Sequence, residues 1–239
     1  MRLEAGQRAL VTGASRGLGV AIARSLAAAG RDVVICARSA EALQAVAQDL
    51  SAAGVEALAA RAEALGPVDV LVNNAGVEST LRYSERTARE IADTVAVNLT
   101  GPMLLTRALL PGMLARGRGH IVNVASVAGV LAVPFNEPYS ATKFGLVGFT
   151  RGLRLTAQAS GWPVSASSVC PGFIAGDGLF EALRREHGIS GDGLGVAPLE
   201  DVGPAVIRAI EDDVPEAFVG PPPLEMVAGQ RRPPEHRPR

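Results

Sequence analysis

A short apolar run, Arg8 to Thr12, leads into the glycine-rich stretch Gly13-Ala14-Ser15-Arg16-Gly17-Leu18-Gly19. Residues of helical composition follow from Gly17 to Ala29, and then a β-branched run from Asp32 to Ala37. A strand, a glycine turn, a helix and a second strand form a βαβ unit, which makes the two strands parallel. Gly13, Gly17 and Gly19 have no side chains to keep a pyrophosphate away, and the helix that starts there offers free N–H groups and the positive end of its dipole. Taken alone, the same glycines also suit a tight turn with close helix packing.

The alternation continues along the chain. Helix signals lie at Ala40 to Ala53, Arg86 to Arg116 with a break near Pro102, Tyr139 to Ala159 and Glu200 to Asp212. Strand signals lie at Val68 to Asn73, His120 to Ala125, Val164 to Val169 and Ala217 to Val219. Apolar strands alternating with helices predict a parallel sheet covered on both faces. The 239 residues suit one α/β domain over positions 1–220, and the Pro- and Arg-rich stretch 221–239 reads as a disordered tail. Lys plus Arg (23) nearly balances Asp plus Glu (24), which argues against nucleic acid or an anionic membrane as partner and for small-molecule chemistry. The first residues carry no signal-peptide pattern and no apolar segment reaches the length of a membrane span, so a cytoplasmic location is expected. Cys36 and Cys170 fall in apolar strand-like segments without metal-ligand spacing; neither a metal nor a disulfide is expected.

Tyr139 and Lys143 stand four apart, with Ser126 thirteen residues upstream of the tyrosine and Asn98 further back. On a helix such a pair shares one face, so the ammonium can sit beneath the phenol and favour its ionised form. A phenol with its ordinary pKa of about 10 is otherwise a poor acid or base near neutrality. The ordered set Thr12-Gly-x-x-x-Gly-x-Gly19, Asn73-Asn74-Ala75-Gly76, Asn98, Ser126, Tyr139-x-x-x-Lys143 and Pro171-Gly172 resembles the short-chain dehydrogenase/reductase family over roughly residues 5 to 220.

The resemblance implies a Rossmann-type doubly wound parallel sheet and an oxidoreductase that interconverts a ketone and a secondary alcohol. It implies that Tyr139 exchanges a proton with the substrate oxygen, that Ser126 hydrogen-bonds that oxygen, and that Lys143 lowers the phenol pKa and holds the nicotinamide ribose. Asn98 matches the position that holds a water in a proton relay. The cofactor would lie against Gly13, Ser15, Arg16, Gly17, Leu18, Gly19, Asn74, Ala75, Gly76, Tyr139, Lys143, Pro171, Gly172 and Ile174. The stretch Cys36-Ala37-Arg38-Ser39 has no carboxylate for a ribose diol, and Arg38, with Arg16, suits a 2′-phosphate; NADP is therefore expected, with NAD possible. The segment Phe173 to Ala197 stands where the family carries a mobile substrate lid, and its glycines and apolar residues suit a small apolar carbonyl compound. His187 within it reads as a surface residue. The long helices Arg86 to Arg116 and Tyr139 to Ala159 match those that pair across a two-fold axis, so a homodimer or homotetramer is expected. A second reading, a non-catalytic cofactor-binding sensor or scaffold, would go with loss of the tyrosine or lysine, and both are present.

One stretch is short. Between Ala37 and Val68 the family fits a helix, an edge strand, an acidic turn that grips the adenine, and a second helix. If Val55 to Ala60 is the edge strand, Arg61 to Pro67 must span roughly 20 Å with a reach of at most about 25 Å. Alternatively Val55, Leu58, Ala59, Ala62 and Leu65 recur at helical spacing. The Gly54-Val55-Glu56-Ala57-Leu58 run favours the edge strand, with a shortened crossover over 55–67 and no full helix. Either way no acidic residue followed by Val or Leu stands at the adenine position, which predicts weakened cofactor affinity.

Overall fold

The computed structural model describes residues 6–37, 52–176, 179–188 and 195–220. The described strands are β1 (Arg8–Thr12), β2 (Asp32–Cys36), β3 (Val70–Asn73), β4 (Gly119–Val124), β5 (Val164–Pro171), β6 (Phe173–Ile174), β7 (Val196–Ala197) and β8 (Glu216–Val219). The described α-helices are α1 (Gly17–Ala28), α2 (Ala52–Ala64), α3 (Ala88–Val95), α4 (Gly101–Ala115), α5 (Glu137–Ser160), α6 (Leu179–His187) and α7 (Val202–Glu211). Six strands pair in the order β2-β1-β3-β4-β5-β8, all parallel, and β6 pairs with β7 alone.

Side-chain alternation explains the two covered faces. Ala9, Val11, Val70, Val72, Val122 and Val124 point to one side, against Ile22 and Leu26 of α1 and Val202, Val206 and Ile210 of α7. Leu10, Leu71 and Ile121 point to the other, against Val55, Ala59 and Ala62 of α2 and Leu105, Leu109 and Met113 of α4. β3 and β4 are buried along their whole length, whereas β2, the edge among the described residues, leaves Ile35 half exposed.

The edge-strand expectation for Val55 to Ala60 is overturned: these residues lie inside α2. The helical recurrence governs, with Val55, Ala59 and Ala62 buried and Leu65, beyond the last turn, exposed. Distance gives the reason. Thirteen residues of helix rise about 20 Å, so one helix crosses the span that a strand plus seven residues could barely manage. Arg116 locks its end, donating to Glu63 Oε1 (3.3 Å) and to the Val68 carbonyl (2.6 Å). The expected helix at Ala40 to Ala53 lies mostly outside the described residues, as does the tail 221–239. Among the described residues no helix is long and apolar enough to cross a membrane. Cys36 and Cys170 are buried free thiols.

His120 is fully buried in β4. Its Nε2 lies 2.9 Å from Ser167 Oγ, and that hydroxyl donates to the Ala209 carbonyl, so Nε2 carries the proton and Nδ1 is left without a partner among the described residues. Burial pushes its pKa down to about 4. An unfolded histidine takes up its proton near pH 6.5, so between those values the unfolded chain binds more protons and stability falls as pH drops. The stabilising share is complete above about pH 6.5, and at about pH 5 the loss is on the order of 2 kcal/mol. Urea unfolding should show this loss in the native chain and its absence in His120→Leu; parallel pH dependences would refute it.

Candidate active site

β1 sends the chain one way to β2 while β3 lies on its other side, so a crevice opens at the carboxyl ends between β1 and β3. The glycine turn leaves β1 there and Asn73 to Gly76 leaves β3 there. Gly13 and Gly17 have φ of 67° and 52°, where a side chain is strained. A Cβ on Gly19 would stand 2.4 Å from the Gly13 carbonyl oxygen and 2.8 Å from Ala14 Cα. The turn is thus a backbone-lined cradle at the start of α1, with Ser15 and Arg16 exposed and Leu18 half-buried.

Thr12 ties the two loops together. Its Oγ1 accepts from the backbone N–H groups of Asn74 (3.1 Å) and Ala75 (3.0 Å). The Asn74 side chain in turn donates to the carbonyls of Thr12 (2.9 Å) and Gly13 (3.2 Å). Asn74, expected to touch cofactor, has both amide protons committed to bracing the glycine turn. Arg38 lies outside the described residues, so the geometry of a 2′-phosphate site is not described.

β4 and α5 bring the other groups in. Ser126 follows β4, capping the one-turn helix 127–129 by accepting from Ala128 N–H (3.1 Å), and it donates to the Pro171 carbonyl at 3.4 Å. Lys143 is only 4% exposed. Its Nζ donates to the Val124 carbonyl at 2.8 Å and sits 5.3 Å from the Tyr139 ring centroid. Burial lowers the Lys143 pKa to about 8. Burial also raises the half-buried Tyr139 phenol above its ordinary value; the nearby Glu78 carboxylate adds to this, and a hydrogen bond with Ser126 opposes it. In the cofactor-free protein the phenol is thus shifted upward, opposite to the direction expected from the lysine alone, because desolvation outweighs a single ammonium.

Asn98 is 0% exposed and lies in a π-helical turn, Ala96–Thr100, at the foreseen break before Pro102. Its carboxamide clamps Val77, accepting from the N–H and donating to the carbonyl, both at 2.8 Å, and also donates to Thr142 Oγ1 at 3.3 Å. The carboxamide expected to hold a relay water is therefore engaged. Its backbone carbonyl stands differently, because the α-helical donor four residues on is Pro102, which has no N–H.

Gly172 N–H donates to the Val219 carbonyl at 2.8 Å, fixing the Pro171-Gly172 turn against β8, and Ile174 pairs with Ala197. Between β6 and β7 lies α6, whose C-terminal end rests on two loops. His187 stacks on Phe135 with ring centroids 4.0 Å apart, and its Nε2 bonds the Thr80 carbonyl, while Thr80 Oγ1 bonds Glu186. His187 serves as a packing residue. The residues that sequence reasoning missed are braces: Thr142, and Asn123 and Thr150, which with Asn73 form a buried chain joined at 2.8 Å per link that fixes α5 against the sheet. Their types are common in strands and helices, so no local pattern marks them; Thr12 and Asn73 stand in the motifs, but their bracing bonds are not legible there.

Gly19→Ala should abolish cofactor binding in a titration and destabilise the fold by about 2 kcal/mol, since the new methyl meets backbone that cannot yield. Native affinity in that variant would contradict the cradle geometry.

Residues 7–187 match the family described as short chain dehydrogenase. The chain is 38% identical over 236 residues to the ketoacyl reductase HetN of Nostoc sp., covering 92% of this chain and 80% of that protein. It is 38% identical over 197 residues to the 3-oxoacyl-[acyl-carrier-protein] reductase of Synechocystis sp., covering 75% and 78%. Among solved structures, a short-chain dehydrogenase from Streptomyces avermitilis superposes with a TM-score of 0.79 at 32% identity, covering 95% of this chain and 93% of that one. A single-substitution variant of actinorhodin polyketide ketoreductase, solved with NADPH, superposes with a TM-score of 0.77 at 31% identity, covering 91% and 97%. The parallel sheet agrees with these likenesses, and the chain belongs to the short-chain dehydrogenase family of NAD(P)-dependent oxidoreductases.

Proposed function

We propose that this chain is an NADP-dependent reductase of 3-oxoacyl thioesters, with Tyr139 as the proton donor. The observation that carries this is the buried Lys143 ammonium held by the Val124 carbonyl under the Tyr139 ring, beside Ser126. The names of the relatives point to the substrate class, and the NADPH in the actinorhodin ketoreductase points to the cofactor. The site residues fit that cofactor: the side-chain-free cradle at Gly13 to Gly19 suits its pyrophosphate, and Arg38 with Arg16 suits a 2′-phosphate.

A nicotinamide cofactor held in this cradle would supply a hydride to the substrate carbonyl carbon. Ser126 Oγ and Tyr139 Oη donate hydrogen bonds to the carbonyl oxygen, orienting it and stabilising the negative charge that develops there. Tyr139 passes its proton to that oxygen, and the resulting phenolate is stabilised by Lys143. Lys143 uses one donor on Val124, and the others, near Gly76, would hold ribose hydroxyls. The backbone carbonyl of Asn98, which Pro102 deprives of an α-helical donor, would hold the water that returns a proton to this chain of donors.

The exposed face of α5 supports self-association. Phe144, Gly148, Gly152 and Leu155 fall on one stripe; Phe144 and Leu155 are exposed, and a Cβ on either glycine would meet nothing within 4 Å. A homodimer or homotetramer follows, and a light-scattering mass of one chain at micromolar concentration would refute it.

Tyr139→Phe should lower kcat by about a hundredfold or more while leaving NADPH binding intact; undiminished turnover would overturn the mechanism. Arg38→Glu should reverse the preference for NADPH over NADH. Because the sequence places no Asp followed by Val or Leu where the family grips the adenine, calorimetry should give a Kd for NADPH weaker than about 1 μM, and tighter binding would contradict this.

A further inference from the structure

Asn136 stands at the N-cap of α5, a position where an asparagine side chain ordinarily accepts from the first free N–H groups of the helix. Here it makes no cap. Its carboxamide is 1% exposed, and neither Oδ1 nor Nδ2 has a hydrogen-bond partner among the described residues. A buried amide without partners costs about 1–3 kcal/mol for each unmet group, so a chain that keeps one needs a use for it.

The placement suggests that use. Asn136 directly precedes α5, three residues before Tyr139 and seven before Lys143, so its backbone enters the helix within about one turn of the proposed proton donor. The preceding residue, Phe135, has φ of 61°, a strained value for a bulky side chain. Two contacts hold it there: Arg86 Nη2 donates to the Phe135 carbonyl at 2.8 Å, and the Phe135 ring stacks on His187 of α6. Strained backbone, an orphaned amide and α6 therefore meet at the entrance to α5. Strain of this kind gathers at ligand sites, where surrounding contacts hold a side chain in position before the ligand arrives.

We propose that Asn136 is a specificity-determining residue that hydrogen-bonds a second oxygen of the substrate, separated from the reacting carbonyl by a single methylene. Resting on the reductase function proposed above, this makes the preferred substrate a 3-oxoacyl thioester and not an isolated ketone. The amide N–H donates to the thioester carbonyl, and the substrate thus satisfies a group that the free protein leaves unmet. An isolated ketone leaves it unmet in the complex as well, and a site with a stranded polar group discriminates against such a ligand.

The test compares an acetoacetyl thioester of a small thiol with a plain methyl ketone of similar length, with NADPH as reductant. The wild-type ratio of kcat/KM should favour the thioester. Asn136→Leu should lower that ratio at least about tenfold, chiefly through the KM of the thioester, and Asn136→Gln should restore part of it. Because leucine removes an unmet polar group, Asn136→Leu should melt no lower than the wild type. An unchanged ratio, or a Leu variant that melts several degrees lower, overturns the inference, the second by revealing a structural partner. The function beneath it is read separately: if Tyr139→Phe turns over either substrate at the native rate, that reading fails whatever the ratio does, and a wild type that reduces neither compound overturns both.

Discussion

A single hydrogen bond, from Lys143 Nζ to the carbonyl that ends β4, underlies the chemistry proposed for this protein. Burying an ammonium is costly unless something answers it, and here the Val124 carbonyl and the Tyr139 ring face do so. The cost shows in the depressed pKa of about 8, set by burial. A lysine so placed responds strongly to its surroundings. An oxidised nicotinamide held nearby would add a second positive charge and oppose the upward shift that burial imposes on the phenol, so that the proposed proton transfer would be coupled to cofactor occupancy.

That lysine is held in position by parts of the chain far from it in sequence. α5 is registered against the sheet by the buried Asn73–Asn123–Thr150 chain and against the 77 loop by Asn98 through Thr142. The cofactor cradle is registered by Thr12 and Asn74, which join the loops after β1 and β3. At the cradle polar side chains satisfy backbone groups where two strands end, and along α5 they satisfy one another; that pairing makes the geometry specific. The crevice at the topological switch is therefore preformed by braces, leaving the ligand less ordering to impose.

Much of this was legible in the residues. The strand–helix alternation, the break before Pro102 and the Tyr139/Lys143 spacing each reflect local periodicity or covalent chemistry, which a sequence carries openly. The residues from 52 to 64 were harder. The Gly54–Leu58 run is short enough to suit strand or helix, and only the distance to be crossed and the burial of Ala59 and Ala62 decide for helix. The direction of the phenol shift was not legible either, because desolvation depends on what packs around Tyr139 in three dimensions. Asn74 and Asn98 were legible as positions, but not the bonds their side chains make to Thr12, Gly13 and Val77: spacing marks a position without saying where a carboxamide points.

The central claim is that burial keeps Tyr139 protonated until a bound oxidised cofactor, acting with Lys143, draws the proton off. The chain has two tyrosines, so a Tyr83→Phe variant leaves Tyr139 as the only phenol, and ultraviolet difference absorbance can follow its ionisation directly. Titrated without cofactor, the variant should form no phenolate up to the ordinary value of about 10; with saturating NADP⁺, phenolate should appear well below that pH. Identical titrations with and without NADP⁺, or a free protein already ionised near neutrality, would contradict the account.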